Sequence, residues 1–240
     1  MRTTLLQMVQ SILSDMDSEA VNSISDTVEA QQIGSVIEDV YYNIIAAREI
    51  PEHNKLLSLT ALSNTAKPTH FKYPDRTKVI NRVDYNVGTI ADKDFREIVF
   101  VDPMTFVDRM DESGLLVETF DGAVDIFVQN DTAPSYYTSF DDEYIIMNAY
   151  EADKETSLQA DKTRAWGSSY PTFSQTDSFE PDLDQTLLPL LLAEAKSTCF
   201  SLFKGGSDGK VEQAARRLKS YVQNDQYKTR LRPTNQYGRK

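Results

Sequence analysis

Thiols, imidazoles and long apolar runs are scarce in this 240-residue sequence, and each scarcity removes a class of function. A single cysteine, Cys199, excludes an internal disulfide framework and any thiolate metal cluster made by this chain alone. The two histidines, His53 and His70, stand beside Pro51 and Pro68, and neither has a further His, Cys or carboxylate at ligand spacing. They are expected as surface-loop residues, and no metal or cofactor site is expected. No stretch approaches the roughly 20 apolar residues that span a bilayer, since Leu187 to Leu192 is interrupted by Pro189. The first residues, MRTTLLQMVQSILSDMDSE, are broken by Gln7, Gln10 and Asp15 and so lack the uninterrupted apolar centre of a signal peptide. A soluble protein with no membrane partner is the expectation.

Positive charge is also in short supply. There are 25 Lys and Arg against 37 Asp and Glu, for a formal charge of -12. The cations are unevenly placed. Residues 213–240 hold eight of them (Arg216, Arg217, Lys219, Lys228, Arg230, Arg232, Arg239 and Lys240) and one acid, Asp225, leaving 17 bases against 36 acids elsewhere. An acidic body repels phosphate, which argues against a duplex-gripping surface there. The basic end reads either as an arm reaching for a partner or as one folded back on its own body, because both use the same attraction.

What the chain does contain is periodic. Leu5, Leu6, Val9, Ile12 and Leu13 recur at three- and four-residue steps and predict an amphipathic helix. Asp26 with Glu29 matches a helix-start signature, and the helix it opens carries Ile33, Ile37, Val40, Tyr41, Ile44 and Ile45 as far as about Arg48, before Pro51. Between Lys55 and Thr176 the period shortens to that of strands. Five to seven are expected, among Leu57 to Ala61, Val79 to Val83, Glu97 to Val101, Leu115 to Phe120, Val124 to Val128 and Tyr144 to Tyr150. Asp121-Gly122 supplies the best hairpin turn, and Pro103 to Met110 is expected as a helical turn between strands. Helical spacing returns with Leu188, Leu191, Leu192, Ala195, Cys199, Leu202 and Phe203, stops at Gly205-Gly206, and resumes with Val211, Ala214, Ala215, Leu218 and Val222. After Asn224 the periodicity ends.

The expected fold class is therefore α+β. Residues 1–54 and 181–224 form two helix pairs that join as one bundle, because neither apolar stripe has anything else to bury against. Residues 55–180 form an inserted antiparallel β domain, and 225–240 an extended basic arm.

Catalytic constellations are missing as well. The sequence has no phosphate-cradling loop after a strand, and no GxSxG, HExxH or CxxC. Asp15, Asp17, Glu19 and Asp26 imitate a calcium loop, but Ala20 occupies the position where the sharp turn needs glycine. Asp131, Asp141, Asp142 and Glu143 are the densest acids. Neighbours on a strand face opposite ways, so a solvated strand start is favoured over a carboxylate hydrolase using Asp141 and Asp142. Cys199 lies on a buried stripe and reads as core. Tyr136, Tyr137, Phe140, Tyr144, Trp166, Tyr170 and Phe173 suit an interface as well as a core. No enzyme activity is expected.

The ordered set TLLQMVQSILSDMDSEAVNSISDTVEAQQIGSVIEDVYYNII, YYTSFDDEYIIMNAYEADKETSLQADKT and LLPLLLAEAKSTCFSLFK resembles the head-to-tail adaptor proteins of short-tailed bacteriophages, the tail tubular protein A-like group. The resemblance covers most of residues 3–222 and is carried by segments, not by a catalytic motif. It implies a virion protein, assembled in the host cytoplasm, that forms a twelve-fold ring in the neck between portal protein and tail nozzle protein and lines the channel through which genomic DNA leaves. It also implies that the carboxy-terminal arm, with Tyr227, Lys228, Arg230, Arg232, Tyr237, Arg239 and Lys240, docks on the portal or on a neighbouring subunit. The competing expectation is a nucleic-acid-binding module that grips phosphates with Arg230, Arg232, Arg239 and Lys240.

Overall fold

The fold is known from a computed structural model that describes residues 3–88, 92–111, 116–120, 124–151, 162–205 and 209–230. It is mixed α+β, and the chain divides into two compact units. The first joins Met1–Glu52 to Pro171–Lys240, and the second is His53–Tyr170.

The first unit is helical. Helix α1 (Leu5–Asp15) starts at a reciprocal cap: the Gln7 N–H donates to the Thr4 hydroxyl at 3.3 Å, and the Thr4 N–H donates to Gln7 Oε1 at 3.1 Å. Helix α2 (Val28–Ala47) starts one residue later than its signature predicts. Thr27 is the cap, accepting the Ala30 N–H at 3.1 Å, because the Asp26 carboxylate is already taken by the N–H groups of Asn22 and Ser23, each at 2.8 Å. Two more helices, α4 (Leu188–Phe203) and α5 (Gly209–Arg230), follow the second unit in sequence. Helix α4 packs on α2 and α5, and α1 packs on α2 and α4. Leu5, Ile12, Ile33, Ile37, Tyr41, Leu191 and Cys199 are buried in this unit, as their spacing requires.

The chain from Pro171 to Leu187 has no counterpart in the sequence pattern. It runs over α1 and α2 without regular structure. The Phe179 carbonyl accepts the Leu5 N–H at 2.7 Å and the Asp177 carbonyl that of Leu6 at 3.3 Å, which satisfies two donors that the first helical turn leaves over. The Tyr42 hydroxyl accepts the Phe173 N–H at 3.1 Å, and the Phe173 ring lies 5.3 Å from that of Tyr41 and 4.4 Å from that of Phe179.

In the second unit the described residues contain ten strands: β1 (Asn54–Leu57), β2 (Thr60–Ala61), β3 (His70–Lys72), β4 (Thr77–Asn86), β5 (Phe95–Phe100), β6 (Leu116–Phe120), β7 (Val124–Val128), β8 (Tyr136–Thr138), β9 (Tyr144–Met147) and β10 (Thr163–Ser169). Eight form one sheet in the order β1-β10-β4-β5-β8-β9-β3-β2, and β6 and β7 pair as a separate hairpin. The hairpin register closes on Phe120 opposite Val124, while Asp121 and Gly122 lie outside the described residues. The sheet departs from the all-antiparallel expectation at one place, where β5 and β8 run parallel. The connection between them is long enough for that crossover, since it carries α3 (Pro103–Asp111) and the hairpin.

Inward side chains from both ends of the sheet order meet in one cluster, including Leu57, Phe71, Val83, Ile98, Tyr137, Ile145 and Ala165. A second cluster forms where Phe106 and Met110 of α3 meet Ile126, Val128 and Ile146. Strand β9 therefore buries both faces, Ile145 and Met147 on one side and Ile146 on the other, which explains its unbroken apolar run.

Both histidines correct the surface-loop expectation. His53 closes the 3-10 turn Pro51–His53, His70 opens β3 between β2 and β9, and both are buried. The prolines begin turns that carry the rings inward, so proximity to proline is a poor guide to exposure.

Candidate interaction surfaces

Helix α5 carries the described part of the basic segment. Its 22 residues span about 33 Å, and its stripe of Val211, Ala215, Leu218 and Val222 faces inward, with Ala215 and Val222 buried. Arg216, Arg217 and Lys219 are exposed on the rest of the helix. Arg216 pairs with Glu212 one turn back, and Lys219 reaches Glu194 of α4 at 3.5 Å. Part of the positive charge is thus held on the chain's own acids.

The helix does not end at Asn224. It continues to Arg230, so Tyr227, Lys228 and Arg230 lie in its final turns and not in an extended arm. Periodicity vanishes from the sequence beyond Val222, yet Lys, Gln, Arg and Tyr still support a helix already nucleated by the preceding turns. Arg232, Tyr237, Arg239 and Lys240 lie outside the described residues.

The acids singled out by sequence are dispersed into local turns. Asp15 pairs with Lys196 of α4 and Asp26 holds the turn before α2. The Asp141 carboxylate accepts the N–H groups of Glu143 and Tyr144, both at 2.9 Å, while Glu143 reaches Lys72 at 3.6 Å. Asp142 has φ 57° and donates its N–H to the Ser139 hydroxyl. This is a tight turn before β9, and the Asp141 carboxylate is engaged in shaping it. Among the described residues no group of three His, Cys, Asp or Glu converges as a metal site, and no helix is long and apolar enough to cross a membrane.

Cys199 is fully buried on α4, and burial, with a contribution from Glu29, pushes its thiol up to about 12. Its thiolate is suppressed at neutral pH. Alkylating reagents are therefore expected to leave Cys199 unmodified in the native protein and to react only as fast as the helical unit opens, which mass spectrometry along a denaturant series would follow.

The aromatic group divides. Tyr137 is core, its hydroxyl pushed up to about 12 by burial and by the nearby Tyr73 and Glu97. Tyr136 and Phe140 set their rings edge-on to Phe106 at 5.7 and 6.1 Å. Phe173 belongs to the helical unit, and Trp166 remains 43 % exposed.

Trp166 sits within an ordered outer face that the sequence does not reveal. On β1, β10, β4 and β5 the inward residues are Leu57, Ala165, Val83 and Ile98, so their strand neighbours point outward. Leu56 pairs with Trp166, and Trp166 pairs with Arg82. In the adjacent row Arg164 pairs with Asp84, and Asp84 with Glu97. The buried Asp84 carboxylate accepts Arg82 Nε at 2.6 Å on one oxygen and Arg164 Nε at 2.8 Å on the other. Arg82 also reaches Glu97 at 3.4 Å, and the Arg164 guanidinium lies 4.2 Å from the centre of the Phe95 ring. Burial alone would raise the Asp84 carboxyl, but the two guanidinium hydrogen bonds and charges outweigh it and hold the group below the usual carboxylate range.

That arrangement predicts an acid-sensitive contribution to stability. A lowered folded-state value means the contribution is complete above the unfolded value of about 3.9 and is lost as pH falls through the folded value. Asp84→Asn should cost about 2 kcal/mol at neutral pH, less than for a fully buried pair because both arginines are about half exposed. The gap between variant and parent should begin to narrow as pH falls below about 4 and close only below the still lower folded-state value, as denaturant titrations at a series of pH values would read.

No protein-family model matches the chain, and no curated protein matches it.

Proposed function

We propose that this protein is a structural subunit of a phage neck, a head-to-tail adaptor that assembles as a ring between portal and tail nozzle. The observation that carries the reading is the division of the chain, in which both ends build one helical unit and the middle is given over to a separate β unit. The adaptor proteins that the sequence resembles have that layout. In such a ring the helical unit is a bundle of α1, α2, α4 and α5, and the basic end of the chain docks on portal or on the next subunit. The acidic composition supports the same role, because a like-charged channel wall does not retain a polyanion that must slide past it. Twelve copies follow from the resemblance. The role needs no catalysis and no cofactor.

A pull-down with purified portal tests the reading. The full chain is expected to be retained, and a chain that stays free at every ratio contradicts it. Salt-dependent retention of DNA in place of portal would favour the nucleic-acid-binding alternative. The excess of acids, 37 against 25 bases, weighs against that alternative, because the rest of the chain repels phosphate.

A further inference from the structure

We infer that the cleft where β4 parts from β5 receives an extended segment of a partner polypeptide, which pairs with β4 as an added strand. The inference does not depend on the adaptor reading.

The parting follows from the register. Strand β4 meets β5 only from Val83, opposite Ile98, to Asn86, opposite Phe95. From Thr77 to Arg82 its one partner among the described strands is β10. Two shifts in that pairing explain why. Arg82 lies opposite Trp166 but Ile80 opposite Gly167, and Val79 lies opposite Ser168 but Thr77 opposite Ser169, so β4 has one extra residue at Asn81 and another at Lys78. Each extra residue bends its strand and tightens the local twist, which carries this half of β4 away from β5. Strand β5 goes the other way, setting Val99 and Phe100 opposite Tyr136 and Tyr137 of β8.

The result is a cleft of about 870 Å³ inside the second unit, with the edge of β4 as one wall. A strand turns alternate backbone groups to each side, and an edge with no strand beside it is a template for another chain. The stretch from Thr77 to Arg82 is roughly 20 Å long, enough for an added strand of about six residues.

The lining says what kind of segment fits. Tyr73, Ile80, Ile98 and Tyr137, which form or pack on the main core cluster, line the cleft and would meet every second side chain of an added strand. Val99 and Phe100 beside them are 61 % and 56 % exposed, and the Phe100 ring stands edge-on to Tyr137 at 5.6 Å. An incoming apolar side chain would cover them. Charge is matched within the cleft, where Lys72 reaches Glu143 at 3.6 Å and Arg82 reaches Glu97 at 3.4 Å. Those pairs give it no excess of one sign with which to select a nucleic acid or an acidic segment. The occupant is a strand with apolar side chains at alternate positions and uncharged polar ones between, held chiefly by its backbone hydrogen bonds.

The probe is a display library of random ten-residue peptides, selected on the purified full-length protein, and the recovered peptides are then synthesised. They are expected to carry apolar residues at alternate positions. Saturating peptide should slow amide hydrogen exchange of residues 77–82 by at least about tenfold, with no comparable change in β1. Affinity should hold within about twofold between low and high salt. Methylating the backbone nitrogens of alternate peptide residues removes donors and keeps the side chains, and one of the two phases should bind at least about tenfold more weakly. Phe100→Ala, at a ring already more than half exposed, should weaken binding about tenfold because it removes apolar surface that the strand would cover. The exchange and methylation measurements use the unaltered protein and carry the test if that variant does not fold.

A selection that yields no binder overturns the inference. So do peptides that leave the exchange of residues 77–82 unchanged, or that bind equally well in both methylated phases. Residues 77–82 that do not exchange at all in the free protein would mean that the chain fills its own cleft, and would overturn it too. None of these outcomes bears on portal binding, which the adaptor reading requires separately.

Discussion

A chain ending at Asn224 is expected to bind portal at least about tenfold more weakly than the full chain while melting at nearly the same temperature. The last buried residue described on α5 is Val222, so the residues removed contribute no described core contact, and the change in stability should stay below about 1 kcal/mol. What is lost is charge. The segment 225–240 carries the cations Lys228, Arg230, Arg232, Arg239 and Lys240 against the one acid Asp225. If these contact portal carboxylates, the lost affinity should appear partly as slower association and should shrink as salt rises, because long-range attraction is screened. Surface-based kinetics at two ionic strengths would read both. Unchanged affinity in the truncated chain would remove the arm from the interface and leave the helical and β units to supply it.

Gly167→Ala is expected to destabilise the β unit by about 3 kcal/mol. A Cβ at this position would lie 2.3 Å from the Val79 carbonyl oxygen and 3.0 Å from the Ile80 Cα, and both are backbone atoms of β4. Neither can swing aside. The glycine stands at a register shift, where Trp166 pairs with Arg82 but Gly167 pairs with Ile80, so the close approach belongs to the bulge that lets β10 follow β4 along its length. The strain would fall on an interior pair of the eight-stranded sheet, since β10 also pairs with β1 and β4 with β5. Gly34 offers the contrast. There the nearest atom to an added Cβ is the Gln175 side-chain oxygen at 2.8 Å, the end of a flexible group, and alanine favours the interior of α2 by roughly 0.5–1 kcal/mol. Gly34→Ala should therefore leave stability within about 1 kcal/mol of the parent. Equilibrium denaturation of the two variants side by side distinguishes a backbone clash from a general intolerance of substitution.

Local periodicity makes the helices legible. The stripes of α1, α2 and α4 follow from residues three and four apart, which the helix itself places on one face. The α2 cap falls one residue beyond its predicted place because Asp26 and Thr27 are both good caps and only the turn before them decides which is already occupied. Strands β3, β8 and β10 escape the pattern for a different reason. Two are three residues long, and β10 reads TRAWGSS, whose polar residues give no strand signal until β1 and β4 are placed on either side.

The same limit hides the outer face. Arg164 and Asp84 are 80 residues apart in the chain, and nothing in the sequence brings them together before the register is known. Trp166 is visible as one of a group of aromatics, but its exposure is not. The basic segment is legible as charge, whereas the helical state of Tyr227, Lys228 and Arg230 is not, since it depends on continuation from turns already formed.

Cryo-electron microscopy of the purified full-length chain mixed with purified portal tests the central claim most directly. The account predicts a closed ring of this protein seated on the portal, with its subunits related by rotation about the channel axis. A chain that remains monomeric and leaves the portal bare would contradict it.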